Sequence, residues 1–200
     1  MARRLFFLPG VGGNPDFWRP LGDRLPVDWH KTYFGWPGLG ANPPDPAVNS
    51  YDDLVGLVEA QLGGEPVDLL AQSMGGAIAL TVALRHPDKV RRLVLAVTAG
   101  GMDVSALGAH DWRPEYRREF PQVADWVIDQ RPDVSHDLLN IHQSTLLIWG
   151  DNDPISPLAV GRHFEQYLPN ARLMVVPGGE HDLIHTRPND VVDAISTHFA

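Results

Sequence analysis

Val67-Asp68-Leu69-Leu70-Ala71-Gln72-Ser73-Met74-Gly75-Gly76-Ala77-Ile78-Ala79-Leu80 decides how this chain folds. Val67 to Ala71 is a short apolar run and predicts a strand. Met74 to His86 is rich in alanine and leucine and predicts a helix, which Pro87 ends. The two are joined by a very short turn with Ser73 at its apex and Gly75-Gly76 beside it, so a buried strand passes directly into a helix.

The same alternation extends in both directions. Leu5 to Leu8 and Lys31 to Gly35 read as strands before it, with a helix near Asp16 to Leu25 and another from Ser50 to about Gly63. In the latter, Ser50, Asp52 and Asp53 put a cap and negative charge at the positive end. Arg92 to Val97, Thr145 to Trp149 and Leu173 to Val176 read as strands after it, with helices over Leu158 to Leu168 and Asp190 to Phe199. About six strands, apolar on both faces and alternating with helices, predict a predominantly parallel sheet covered on two sides. The alternation fails once, over about 100–143. That stretch is too long for a plain connection, and it is expected to form a short helical cap over the carboxyl ends of the strands.

Two hundred residues suit one domain, spanning 1–200. The chain contains no cysteine, so disulfides, a thiolate nucleophile and a cysteine-bound metal are excluded. A net charge of −9 gives no electrostatic reason to bind nucleic acid or an anionic membrane. Met1-Ala2-Arg3-Arg4 has the charge of a leader, but Pro9-Gly10 breaks the apolar run well short of the roughly 7–15 residues a signal peptide needs. A cytoplasmic location is expected.

Three loops carry candidate chemistry, each just after a predicted strand. Ser73 is placed as a nucleophile lifted above the sheet, where the following helix directs free N–H groups at a developing oxyanion. Asp153, in Gly150-Asp151-Asn152-Asp153-Pro154-Ile155, is preferred to Asp151 because Pro154 and Ile155 would shield it from water. His181, in Gly178-Gly179-Glu180-His181-Asp182, is the candidate base, and His185 is expected to face solvent or cap a helix. A serine hydroxyl needs such a base within reach, and the base needs an acid to fix its tautomer. The order serine, acid, histidine is the one this kind of strand–turn–helix nucleophile requires.

On these motifs the chain resembles the α/β-hydrolase superfamily, in particular its compact carboxylesterase, lactonase and perhydrolase group. Leu8-Pro9-Gly10-Val11-Gly12-Gly13 is similar to the family's His-Gly-x loop. Trp36-Pro37-Gly38-Leu39-Gly40 is similar to its Asp-x-Pro-Gly-x-Gly turn, and His86 to Val90 with Leu93 to Leu95 matches a further stretch. The resemblance implies the α/β-hydrolase fold, with the backbone N–H groups of Val11 and Met74 forming an oxyanion hole. It also implies hydrolysis of a small carboxylic ester or lactone through an acyl-enzyme on Ser73, with no cofactor and no metal. A lyase, perhydrolase or acyltransferase using the same triad, or an inactive binding module, are the alternatives. Ala71 stands where the family has glycine, and Pro9 where it has a histidine that supports the loop. The sheet is expected to lack the family's amino-terminal antiparallel hairpin. Trp18, Trp36, Trp112, Tyr116 and Trp126 are candidate pocket walls. Arg113, Arg117 and Arg118 are candidates to hold a substrate carboxylate, or else to pair with Glu115 and Glu119.

Overall fold

In the computed structural model, residues 3–130 and 132–200 are described; Met1 and Ala2, the first two residues of the leader-like segment, and Arg131 in the expected cap lie outside them. The six strands among these residues are β1 (Arg4–Leu8), β2 (His30–Tyr33), β3 (Val67–Gln72), β4 (Val90–Ala96), β5 (Ser144–Gly150) and β6 (Ala171–Val176). All neighbours pair parallel, in the order β2-β1-β3-β4-β5-β6. The hairpin that the family carries ahead of these strands is not among the described residues.

Every residue of β3 is buried. The core therefore has to accommodate Asp68, and it does so by pairing it with Arg3 at 2.7 Å and Arg91 at 2.6 Å at the amino-terminal end of β3, remote from Ser73. The carboxylate raises the pKa of Arg91 through that hydrogen bond. The outer strands β2 and β6 are only partly covered.

The helices are α1 (Arg19–Gly22), α2 (Tyr51–Glu59), α3 (Met74–Arg85), α4 (Arg113–Glu119), α5 (Asp125–Asp129), α6 (Leu158–Tyr167), α7 (Leu183–Thr186) and α8 (Pro188–Phe199). α2 packs on α3, which covers β1, β3 and β4, whereas α1, α7 and α8 pack on one another and α8 reaches β5. Ser50 caps α2 as expected: its Oγ accepts from Asp53 N–H at 3.1 Å, and the Asp53 carboxylate in return accepts from Asn49 N–H and the Ser50 hydroxyl, both at 2.8 Å. These bonds lower the pKa of Asp53, the one from Asn49 most. No helix among the described residues is long and apolar enough to cross a membrane.

The helix expected over Asp16 to Leu25 is shorter, a single turn at Arg19–Gly22. Asn14 explains this, because its side chain accepts from Asp16 N–H at 2.9 Å and its carbonyl from Phe17 N–H at 3.2 Å. Those residues are thereby held in turns rather than in helix.

Between β4 and β5 the chain forms α4, α5 and two short 3₁₀ turns, Ser105–Leu107 and Ser135–Asn140. The segment is tied down by specific bonds: His110 N–H donates to Pro154 C=O at 2.7 Å, and Val134 N–H to Gly100 C=O at 3.2 Å.

Candidate active site

β1 is the point where the sheet order reverses, since β2 follows on one side and β3 on the other. Open α/β sheets bind ligands beside such a point, outside the carboxyl ends of the strands. Leu8 and Ala71 are paired across it. The loops that leave them carry Gly10 to Gly13 and Ser73.

Ser73 sits at φ 52°, ψ −123°, a conformation that surrounding structure must enforce. Gly75 and Gly76 make the turn possible. A Cβ on Gly75 would lie 2.5 Å from Pro9 O and 2.6 Å from Leu8 O, and one on Gly76 would lie 2.3 Å from Thr98 Oγ1. Ala71, by contrast, is fully buried without displacing the β1–β3 or β3–β4 pairing, so its methyl is accommodated.

The three loops converge. Asp153 Oδ2 accepts from His181 Nδ1–H at 2.7 Å, and Ser73 Oγ lies 3.0 Å from His181 Nε2, which accepts the hydroxyl proton once Nδ1 carries the ring hydrogen. The Asp153 side chain is wholly buried. Its other oxygen accepts from Ile155 N–H at 2.8 Å and Ser156 N–H at 3.1 Å, so the carboxylate is satisfied on both sides. The shielding expected from Pro154 and Ile155 is thus a backbone turn that folds over the carboxylate. Asp151 is exposed and instead accepts from Gly178 N–H at 2.6 Å. His185 is also elsewhere, with its ring stacked on Phe17 and its Nδ1–H donating to Phe17 C=O at 2.8 Å.

Val11 and Met74 flank Ser73, and among the described residues neither backbone N–H donates to another group. Two cavities meet at Ser73 and His181. One, of about 280 Å³, runs under the 99–132 segment and is lined by Met74, Ala77, Val97, Trp112, Trp126 and Val127 among others. The second, of about 640 Å³, lies over the Gly10 to Asn14 loop and includes Val11, Phe17 and Asn152.

Of the expected pocket walls, Trp112 and Trp126 line the first cavity, but Trp18, Trp36 and Tyr116 line neither. Trp18 and Trp36 are fully buried behind the loop. Their indole N–H groups donate to Leu8 C=O at 3.1 Å and Pro9 C=O at 2.8 Å, at the carboxyl end of β1 and the start of the loop that follows it. Tyr116 reaches the same loop from α4: its hydroxyl donates to Val11 C=O at 2.9 Å and accepts from Gly40 N–H at 2.8 Å. Burial raises its pKa. Asn42 adds a bond to Gly13 C=O at 2.7 Å. These four side chains supply the support that Pro9 cannot. Gln72 is a further residue the sequence did not single out; its amide donates to His181 C=O at 3.1 Å, tying the nucleophile turn to the histidine loop.

The pairing expected of the arginines with Glu115 and Glu119 is not what the structure shows. Arg113 lines the first cavity, with Nη1 on Asp111 at 2.9 Å and Nε on Ile128 C=O at 3.2 Å. Arg117 pairs with Asp125 at 3.0 Å, and Arg118 is exposed. Arg113 and Arg117 thus pair with Asp111 and Asp125, in the segments that flank α4, rather than with Glu115 and Glu119 inside it. Among the described residues no three His, Asp or Glu side chains are gathered as a metal ion would require.

A hydroxyl in line with an imidazole and a buried carboxylate, beside the backbone N–H of Met74 at the start of α3 and that of Val11 in the loop after β1, can transfer a proton and hold an oxyanion. The family model described as alpha/beta hydrolase fold matches residues 3–131 and 122–188, and the chain belongs to that family. It is 26% identical over 227 aligned positions to a pimeloyl-[acyl-carrier protein] methyl ester esterase of Neisseria meningitidis serogroup B, covering 90% of this chain and 86% of that protein. It is 28% identical over 208 positions to a 2-hydroxymuconate semialdehyde hydrolase of Pseudomonas putida, covering 84% and 73%. Among solved structures, a thermophilic esterase from Thermogutta terrifontis superposes with a TM-score of 0.77 at 20% identity, over 100% of this chain and 90% of that one.

Proposed function

We propose that the chain is an esterase that hydrolyses a small carboxylic ester or lactone through an acyl-enzyme on Ser73. The observation that carries this reading is the unbroken hydrogen-bonded line Asp153–His181–Ser73, with links of 2.7 and 3.0 Å. The relatives named as ester hydrolases support the same bond type.

In the first half-reaction Ser73 Oγ attacks the ester carbonyl carbon while its proton passes to His181 Nε2. The carbonyl π electrons move onto oxygen, and the N–H groups of Val11 and Met74 hold the resulting oxyanion. Asp153 remains a carboxylate throughout; it fixes the tautomer and stabilises the imidazolium. When the intermediate collapses, the bond to the leaving oxygen breaks and that oxygen takes the proton from Nε2. Water then repeats the sequence on the acyl-enzyme and releases the acid.

The first cavity takes the apolar part of the substrate. Met74, Ala77, Val97, Trp112, Trp126 and Val127 offer it dispersion contacts, while Asp103, Asp111 and Arg113 add charged groups to the same lining. The whole chain acts as one domain, with the segment over about 100–143 as its cap.

Ser73→Ala tests the reading. Hydrolysis of p-nitrophenyl butyrate is expected to fall by several orders of magnitude while the fold persists. Turnover within a few-fold of the parent rules out the acyl-enzyme.

A further inference from the structure

The strained turn at Ser73 is held by a residue outside the triad. Thr98, just beyond β4, is fully buried. Its hydroxyl donates to Ser73 C=O at 2.6 Å and accepts from Gly100 N–H at 3.1 Å, so both of its roles are used. The residue before it, Val97, has φ 44°, which is unusual for a β-branched side chain, and its N–H donates to Ile148 C=O at 3.1 Å. That bend turns Thr98 toward the nucleophile. Gly76 lacks a Cβ where Thr98 Oγ1 and Cβ approach to 2.3 and 2.4 Å of the position it would occupy.

The Ser73 carbonyl and the Met74 N–H belong to one planar peptide unit. Fixing the oxygen therefore fixes the direction of the N–H on the opposite side. Ser73 N–H is itself held by Ala96 C=O at 3.0 Å, and Ser73 C=O also accepts from Gly76 N–H at 2.9 Å. From Thr98 the chain of bonds continues: Ser156 Oγ–H donates to Thr98 C=O at 3.4 Å, and Ser156 N–H donates to Asp153 Oδ1. The links run from Ser73 through Thr98, Ser156, Asp153 and His181 and return to Ser73.

We propose that Thr98 is a positioning residue that sets the Met74 N–H for the oxyanion, closing a hydrogen-bonded ring that ties the nucleophile turn to the acid loop. It rests on Ser73 being the nucleophile. Thr98 touches no reacting atom; it acts by keeping one donor aimed where charge develops.

The test compares Thr98→Val, which keeps the shape and removes the hydroxyl, with Thr98→Ser, which keeps the hydroxyl. For Thr98→Val, kcat on p-nitrophenyl butyrate is expected to fall on the order of tenfold to a hundredfold with KM within about twofold. Affinity for an aryl trifluoromethyl ketone, which forms a tetrahedral adduct on Ser73, is expected to fall by the same factor as kcat. Thr98→Ser is expected to restore both. If Thr98→Val does not fold, Thr98→Ala removes the hydroxyl without a second methyl near Gly76 and carries the same comparison. A folded variant lacking the hydroxyl that keeps full kcat, or loses only KM, overturns the inference. A parent protein that is itself inactive on the ester and the ketone overturns the reading of Ser73 as well, so the two failures are distinct.

Discussion

Replacing Asp153 by asparagine isolates what the carboxylate does, because the side chain keeps its size while one oxygen becomes an amide. The amide can turn two ways. With its oxygen toward Ile155 N–H and Ser156 N–H, it preserves the bonds at 2.8 and 3.1 Å and points its NH₂ at His181 Nδ1, 2.7 Å away. Turned over, it sets two donors against two donors, at about 1–3 kcal/mol for each buried group left unpaired. The first orientation therefore prevails. It gives His181 Nδ1 a donor to accept from, which moves the ring hydrogen to Nε2, facing Ser73. The imidazole then cannot take the serine proton. The expected loss in kcat is on the order of 10⁴, or about 5 kcal/mol of barrier. Steady-state hydrolysis of p-nitrophenyl butyrate measures it, with circular dichroism to confirm the fold. An Asp153→Asn protein within tenfold of the parent would show that the carboxylate does not set the tautomer.

Other expectations concern the scaffold. Tyr116→Phe leaves the buried Gly40 N–H unpaired and frees Val11 C=O, so stability should fall by about 1–3 kcal/mol and kcat by several-fold; an unchanged urea midpoint would contradict the bridging role of that hydroxyl. Gly75→Ala drives a methyl against the backbone of β1 and should lower the melting temperature by several degrees, whereas Gly56→Ala, which meets nothing within 4 Å inside α2, should raise it slightly. His198 is held neutral by burial, with Nε2–H donating to Leu93 C=O at 3.0 Å, and its folded pKa is lowered from 6.5. The unfolded chain thus takes up that proton first, so this residue's contribution is complete above about pH 6.5 and is lost as pH falls from there through the lower folded pKa. Urea midpoints measured from pH 7.5 to 5 should shift in favour of His198→Gln relative to the parent as pH falls, and a constant difference would refute it.

Much of the fold could be read from local pattern. Short runs such as Val67 to Ala71 and Thr145 to Trp149 are apolar on both faces and become central strands, because a sheet covered by helices demands it. The three polar loops were legible for the same reason, since each follows a strand whose end is fixed. What was not legible depends on contacts between distant positions. Trp18 and Trp36 read as pocket walls because aromatics near a site resemble walls, yet both are buried with their single N–H donors on the carbonyls of Leu8 and Pro9. Thr98 carries no local signal at all; the role proposed for it arises only because β3 and β4 are neighbours, which sets its hydroxyl on a carbonyl 25 residues earlier. The support missing at Pro9 is likewise supplied from α4 by Tyr116, 105 residues from Val11. The helix near Asp16 failed because Asn14 satisfies the backbone in turns before a helix can start.

Covalent capture tests the central claim most directly. Incubation with a fluorophosphonate, followed by peptide mapping by mass spectrometry, should place one phosphonyl group on the Ser73 hydroxyl, with labelling abolished in Ser73→Ala and greatly slowed in His181→Ala. A folded parent protein that stays unmodified, or that is modified at another residue with Ser73 untouched, would contradict the account.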